Sequence, residues 1–181
     1  MTRLFIALKI PLNIRKEIVN FTKEVLPDYD KYKWEQLDKV HLTLKFFGDI
    51  KEELVNEVIK KISFINAYKK FECGLDKLDF FYRNGKPSIF FLKLITDERI
   101  NELVIRLNNE LETLSIPREK KEIHANLTLL RIKGNEELDP LKKMTGIELK
   151  TKFTADEIAL YQSLLLAHGS VYKELLNYKL N

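Results

Sequence analysis

Several things are scarce in this sequence of 181 residues, and each scarcity excludes something. Cysteine occurs once, at Cys73, so the chain can close no disulfide on itself and cannot build a cysteine-based zinc site. That pattern suits a reducing compartment, and a cytoplasmic location is the expectation. Six glycines are scattered, and none forms a phosphate-cradling loop, which removes dinucleotide and P-loop readings. No apolar run approaches the length of a membrane span, so no membrane partner is expected. The opening "MTRLFIALKIPL" is broken by Lys9 and stopped by Pro11, with no small-residue cleavage site. It reads as a buried strand rather than a signal peptide. Histidine occurs three times, so any acid–base chemistry by imidazole rests on His41, His124 or His168.

What is present is ordinary for a globular chain. Hydrophobic residues make up 45% and charged residues 32%, enough for a core without metal or disulfide staples. The net charge of +4 permits an anionic partner without requiring one. Length and the absence of linkers predict a single domain over residues 1–181, with room for two lobes.

Periodicity alternates between strand and helix. "RLFIALKI" reads as a strand, and Ile14, Ile18, Phe21 and Val25 mark a helix. "HLTLKFFG" reads as a strand ended by Gly48, followed by Asp49 as N-cap and Glu52 in a capping box. A helix with Leu54, Val58 and Ile62 comes next. Two strands near 70–79 and 88–94 flank the turn-rich "YRNGKPS". A helix from about Asp97, a strand "HANLTLLRIK", a short helix near 136–144, and two or three strands complete the chain. The last group comprises about 147–153, "EIALYQSLL" and "VYKELLNYKL". This is an α+β pattern.

One pattern repeats. "HLTLKF" begins at His41 and "NLTLLR" at Asn126, each on a predicted strand after a helix and a short polar segment. Alternate residues of a strand share a face. His41 and Thr43 therefore point together, as do Asn126 and Thr128, with leucines behind. Two such strands across a groove would offer two hydroxyls and two polar heads to one phosphate.

With its flanks, this pair resembles the 2H phosphoesterase superfamily, most closely the RNA 2′,3′-cyclic phosphodiesterases, also called 2′–5′ RNA ligase-like proteins. "KWEQLDKVHLTLKFFGDI" is similar to the family's first motif, including Trp34 and Gly48. "IHANLTLLRIK" is similar to its second, and "LYQSLLLAHGSVYKEL" to its closing strands, with Ser163, Leu165, Gly169 and Tyr172 in place. The resemblance implies a bilobal fold: two pseudo-symmetric lobes of antiparallel sheet, helices outside, a central groove between. It implies His41 and Thr43 as one catalytic pair, and Thr128 and Arg131 as phosphate contacts in the other. It implies hydrolysis of 2′,3′-cyclic phosphate ends to 2′-phosphomonoesters without metal or other cofactor, with 2′–5′ ligation as the reverse. Partners would be RNA ends or nucleotides bearing a 2′,3′-cyclic or 2′-phosphate, met by a monomer.

The family's second histidine falls on Asn126. Asparagine can hydrogen-bond but carries no proton near neutral pH. Three accounts stay open: a native histidine deliberately changed, a naturally slowed or inactive member, or another residue standing in. His124 is the obvious substitute, two residues earlier and displaced by roughly 6–7 Å along a strand, though a groove-edge position is the simpler reading. His168 reads as a turn residue. Phe46, Phe47, Phe80, Phe81 and Tyr82 are candidates for base stacking, against a default of core or rim. The charged run "PREKKE" at 117–122 reads as a solvated loop that could meet an RNA backbone. The alternative to an enzyme is an inactive protein binding RNA ends or 2′-phosphonucleotides; a third is a scaffold with a vestigial groove.

Overall fold

The structure is a computed structural model and describes residues 1–119, 123–166 and 169–181. His168 and the last three residues of the charged run lie outside them.

Eight strands and four α-helices succeed one another along these residues. They are β1 (Thr2–Lys9), α1 (Leu12–Val25), β2 (His41–Ile50), α2 (Val55–Ile62), β3 (Phe71–Arg83) and β4 (Lys86–Thr96). Then come α3 (Arg99–Glu112), β5 (Asn126–Arg131), α4 (Leu138–Lys143), β6 (Lys152–Ala155), β7 (Glu157–Leu166) and β8 (Gly169–Lys179). The strands form two antiparallel four-stranded sheets, ordered β2-β1-β7-β8 and β5-β4-β3-β6. Each motif strand is an outer strand of its own sheet, and the two approach one another. The units β1–α1–β2 and β4–α3–β5 are equivalent: a strand, a 14-residue helix, then an antiparallel motif strand. The expected α+β architecture of two related sheets is what the chain adopts.

The core explains the apolar runs. In β1, Leu4, Ile6 and Leu8 point into the core beneath the helices. Phe5 and Ala7 are equally buried but point to the other face. In β4, Phe90, Leu92 and Leu94 are the core face, while Ile89 lines the opposite side. A central strand covered on both sides loses the polar alternation of a half-exposed one. The β3–β4 hairpin closes through Asn84 and Gly85, both at positive φ (51° and 74°), so "NG" supplies the tight turn. Both strands run further than the sequence suggests.

Three details depart from expectation. Gly48 does not end β2. It sits at φ +77° beside an irregularity in the β1–β2 register, and the strand continues to Ile50. Asp49 is not a helix cap either. Its carboxylate takes two hydrogen bonds from Arg3, each 3.1 Å, across the β1–β2 pair. The following helix enters through a 3₁₀ turn at Glu52–Leu54 with no side-chain cap. Third, β6 covers residues 152–155; the preceding segment reaches β3 through single bonds such as Leu78 N–H to Ile147 O (3.0 Å).

Candidate active site

Both motif strands carry the same backbone device. Ala7 pairs with Thr43 and Ile6 with Lys45, so Leu44 is an extra residue in β2. Phe91 pairs with Thr128 and Phe90 with Leu130, so Leu129 is extra in β5. A β-bulge lets two consecutive residues turn inward and re-aims the side chains beyond it. Leu44 and Lys45 are both buried, as are Leu129 and Leu130. The residue three beyond each threonine therefore returns to the groove face, where strict alternation would turn it away. In β2 that residue is Phe46; in β5 it is Arg131.

His41, Thr43, Asn126, Thr128 and Arg131 line one groove of about 230 Å³. The predicted faces hold: these residues are half-buried or exposed, while Leu42, Leu44, Leu127 and Leu129 are buried behind them. His124 lines the same groove but stands outside β5, exposed, edge-on to Phe81 with ring centroids 5.8 Å apart. It is at the groove rim, and the expectation that it continues the strand is not met. Of the five aromatics singled out, Phe46 and Phe81 reach the groove; Phe47 and Phe80 belong to the core. Tyr82 is exposed at the end of β3.

His41 sits in an aromatic box. Its ring stacks on Phe5 (5.3 Å) and Tyr161 (6.0 Å) and meets Tyr172 edge-on (5.7 Å). Burial, with Arg131 and Arg15 nearby, lowers its pKa to about 4. At neutral pH the imidazole is therefore uncharged. Arg15, from α1, donates to Leu37 O at 2.8 Å in the 3₁₀ turn just before β2, which fixes it behind the histidine.

Arg131 is held differently. Its Nε donates to Glu35 Oε1 at 2.9 Å, and its side chain is 55% exposed, so the rest of the guanidinium remains available to a ligand. The segment carrying Glu35 is bound to β5 itself: Glu35 N–H donates to Leu129 O (2.8 Å), and Trp34 bridges to Leu130.

A further tie joins the two halves. Lys45 is fully buried, and its Nζ donates to Asn108 Oδ1 and Pro117 O, both at 2.7 Å. Phe46 N–H donates to Glu119 Oε1 at 3.0 Å. The charged run thus begins, at 117–119, as an anchored segment rather than a free loop. Burial pushes the Lys45 ammonium below its usual pKa.

Phe5, Tyr161, Arg15 and Glu35 are the site neighbours that the sequence did not reveal. Phe5 is indistinguishable from core in a run of apolar residues. Glu35 carried a weak signal, lying beside Trp34 in a polar segment before the first motif.

Two antiparallel sheets, each presenting a bulged x-Leu-Thr-Leu edge strand to a shared groove, define a two-lobed phosphoesterase fold. A family model for LigT-like phosphoesterase matches residues 8–91. The RNA 2′,3′-cyclic phosphodiesterase of Archaeoglobus fulgidus is 25% identical over 174 residues, covering 96% of this chain and 97% of that protein. The protein of the same name from Aquifex aeolicus is 30% identical over 152 residues, covering 77% of each. A crystal structure from Thermus thermophilus superposes with a TM-score of 0.84 at 24% identity, covering 98% of this chain and 97% of that one. This chain belongs to the LigT-like phosphoesterases, the family of the RNA 2′,3′-cyclic phosphodiesterases.

Proposed function

We propose that this chain is a hydrolase acting on 2′,3′-cyclic phosphate ends of RNA or nucleotides, giving 2′-phosphomonoesters, at a rate cut by Asn126. The reading treats residues 1–181 as one functional unit with both sheets contributing. The observation that carries it is the convergence of two bulged motif strands on one groove, with Thr43, Thr128 and Arg131 facing the same space. The names of the relatives point to the same substrate class.

In this mechanism Thr43 and Thr128 donate to the non-bridging phosphate oxygens, and Arg131 offsets the charge that builds in the transition state. His41, neutral in its aromatic box, takes the proton from the attacking water as that oxygen bonds to phosphorus. The P–O3′ bond breaks, and O3′ needs a proton from the opposite side. Asn126 stands where that proton should come from and has none to give. Attack proceeds but the leaving group departs poorly. Positioning and charge stabilisation survive.

Replacing Asn126 with histidine tests the reading. Hydrolysis of a 2′,3′-cyclic nucleotide by Asn126→His should exceed that of the parent chain by about 10²–10⁴-fold, the usual worth of general acid–base help. An unchanged rate would remove position 126 from the chemistry. The second reading, a binder of RNA ends or 2′-phosphonucleotides, is favoured by the same asparagine beside an otherwise complete phosphate site. It is distinguished by affinity for a nucleoside 2′-phosphate without turnover of the cyclic substrate.

A further inference from the structure

A second groove of about 350 Å³ adjoins the first. Glu35, Lys39, Arg131 and Tyr172 line both, so the two form one continuous channel. The second part is basic. Lys33, Lys39, Arg131 and Lys133 face it, against the carboxylates of Glu35 and Glu136. Both carboxylates are already engaged. Glu35 accepts from Arg131 (2.9 Å), and Glu136 accepts from the backbone N–H groups of Lys133 (2.8 Å) and Gly134 (2.9 Å). Among the described residues Lys33, Lys39 and Lys133 have no carboxylate partner, and Lys39 Nζ lies 5.9 Å over the Tyr172 ring.

Aromatic surface is interleaved with these charges. Trp34 and Tyr172 are on the groove wall. Trp34 cannot swing freely: it stacks on Tyr29 at 4.7 Å and 9°, and its Nε1 donates to Tyr29 O at 2.8 Å. Ser170, on the β7–β8 hairpin, lines the groove as well. Leu165 pairs with Ser170 and Ser163 with Tyr172, so Leu165 shares the face of Ser170 and Tyr172. Leu165 is 66% exposed.

A rigid aromatic and ammonium groups with no carboxylate partner among the described residues, along one channel, match a single strand of nucleic acid. Ammoniums track the phosphates, and flat apolar faces cover bases without reading them. A mononucleotide, with one base and one phosphate, can engage fewer of these groups than an oligonucleotide can. We propose that the second groove is a subsite for the nucleotides upstream of the terminal phosphate. It makes this protein selective for oligonucleotide ends over mononucleotides, with Lys33, Lys133 and Trp34 as the residues that discriminate. This rests on the proposed function, which supplies the terminal phosphate in the first groove.

The probes are a nucleoside 2′-phosphate and a trinucleotide carrying the same 2′-phosphate end, titrated against the chain and against the double variant Lys33→Ala/Lys133→Ala. The trinucleotide should bind at least about tenfold more tightly than the mononucleotide. Its affinity should fall more steeply with salt, by a slope of about 0.7 per additional phosphate contacted. The double variant should lose most of that advantage and bind the mononucleotide within about twofold of the parent. If the mononucleotide binds and the trinucleotide gains nothing, the subsite is refuted while the proposed function stands. A gain that survives in the double variant refutes the assignment to this groove. If neither probe binds, the proposed function fails and the subsite fails with it.

Discussion

The strands β2 and β5 share a backbone plan and differ in what they deliver. Each is an edge strand, each has its bulge one residue after the threonine, and each returns the third following residue to the groove. At the polar head, β2 has His41 and β5 has Asn126. At the returning position, β2 has Phe46 and β5 has Arg131. At the second inward position, β2 has Lys45, reaching Asn108 and Pro117, and β5 has Leu130. The surroundings diverge likewise. His41 is boxed by three aromatic rings, whereas Arg131 is open to solvent and held by one carboxylate. A duplicated scaffold thus fixes where side chains point, and the residues at equivalent positions give the halves different chemistry: an apolar half around a neutral imidazole, and a half carrying an exposed guanidinium.

The largest effect should come from restoring symmetry and then breaking it on the other side. In an Asn126→His background, His41→Gln should return the rate of cyclic nucleotide hydrolysis to about that of the parent chain, a loss on the order of 10²–10⁴-fold. Removing both imidazoles should then cost little beyond removing either, because base and acid act as a unit. If His41→Gln in that background loses less than about tenfold, the two heads are not partners in one reaction.

The halves should also differ in how they respond to acid. His41 has its pKa lowered from 6.5 to about 4 in the folded protein, chiefly by burial and then by Arg131 and Arg15. Between those values the unfolded chain binds the extra proton and the folded chain does not. Stability is therefore full above pH 6.5 and is lost as pH falls towards 4, by about 3 kcal/mol from this group. Asn126 contributes no such slope. Carboxylates with lowered pKa, such as Glu136 and Glu157, add their own loss in the same direction. The difference between the parent and His41→Gln isolates the imidazole. Urea denaturation at pH 7 and pH 4.5 should show a smaller drop for the variant; equal drops would mean that the aromatic box does not desolvate His41.

These contrasts also mark how far the sequence could be read. Periodicity and the x-Leu-Thr-Leu repeat were enough for the order of elements, the hint of two similar halves and the shared face of each threonine with its polar head, because those depend on local alternation; the two antiparallel lobes came from the family resemblance. The bulges were not legible. A bulge appears only as two neighbouring inward residues, and "TLK" and "TLL" differ too little from regular strand for that to show. Arg131 accordingly came from the family resemblance, since strict alternation would put it on the wrong face. Lys45 was invisible for a related reason. A lysine in a strand reads as exposed, and its burial depends on two acceptors 63 and 72 residues away. His124 erred the other way: its spacing suited a strand that begins only at Asn126.

Lys45 offers a test of the inward positions. Leu130, its counterpart, needs no polar partner, so the two should not be interchangeable. Lys45→Met keeps the apolar stem but leaves Pro117 O without its donor, while Asn108 Oδ1 retains the weaker bond from Glu119 N–H at 3.2 Å. A loss of about 1–3 kcal/mol in urea denaturation is expected for the buried acceptors left short of a partner. A midpoint equal to or above the parent's would show that the ammonium is a cost rather than a tie.

The smallest expected effect concerns His124, and it decides whether the asymmetry of the heads is real. If another imidazole supplied the proton that Asn126 lacks, the two halves would be chemically alike after all. His124 is the one described histidine besides His41 in the groove. Its ring rests edge-on against Phe81, and its position lies before the strand that aims Asn126 and Thr128. General acid catalysis needs hydrogen-bond reach to the leaving oxygen, and a residue at the rim has no strand geometry to hold it there. His124→Ala should therefore change the residual rate of the parent chain by less than about threefold, an effect no larger than lost packing on Phe81 would give, well short of the 10²–10⁴-fold worth of an acid–base group. Measured beside Asn126→His, the comparison is sharp. A large loss with His124→Ala, together with little gain from Asn126→His, would move the acid from position 126 to position 124 and restore the symmetry that the groove otherwise lacks.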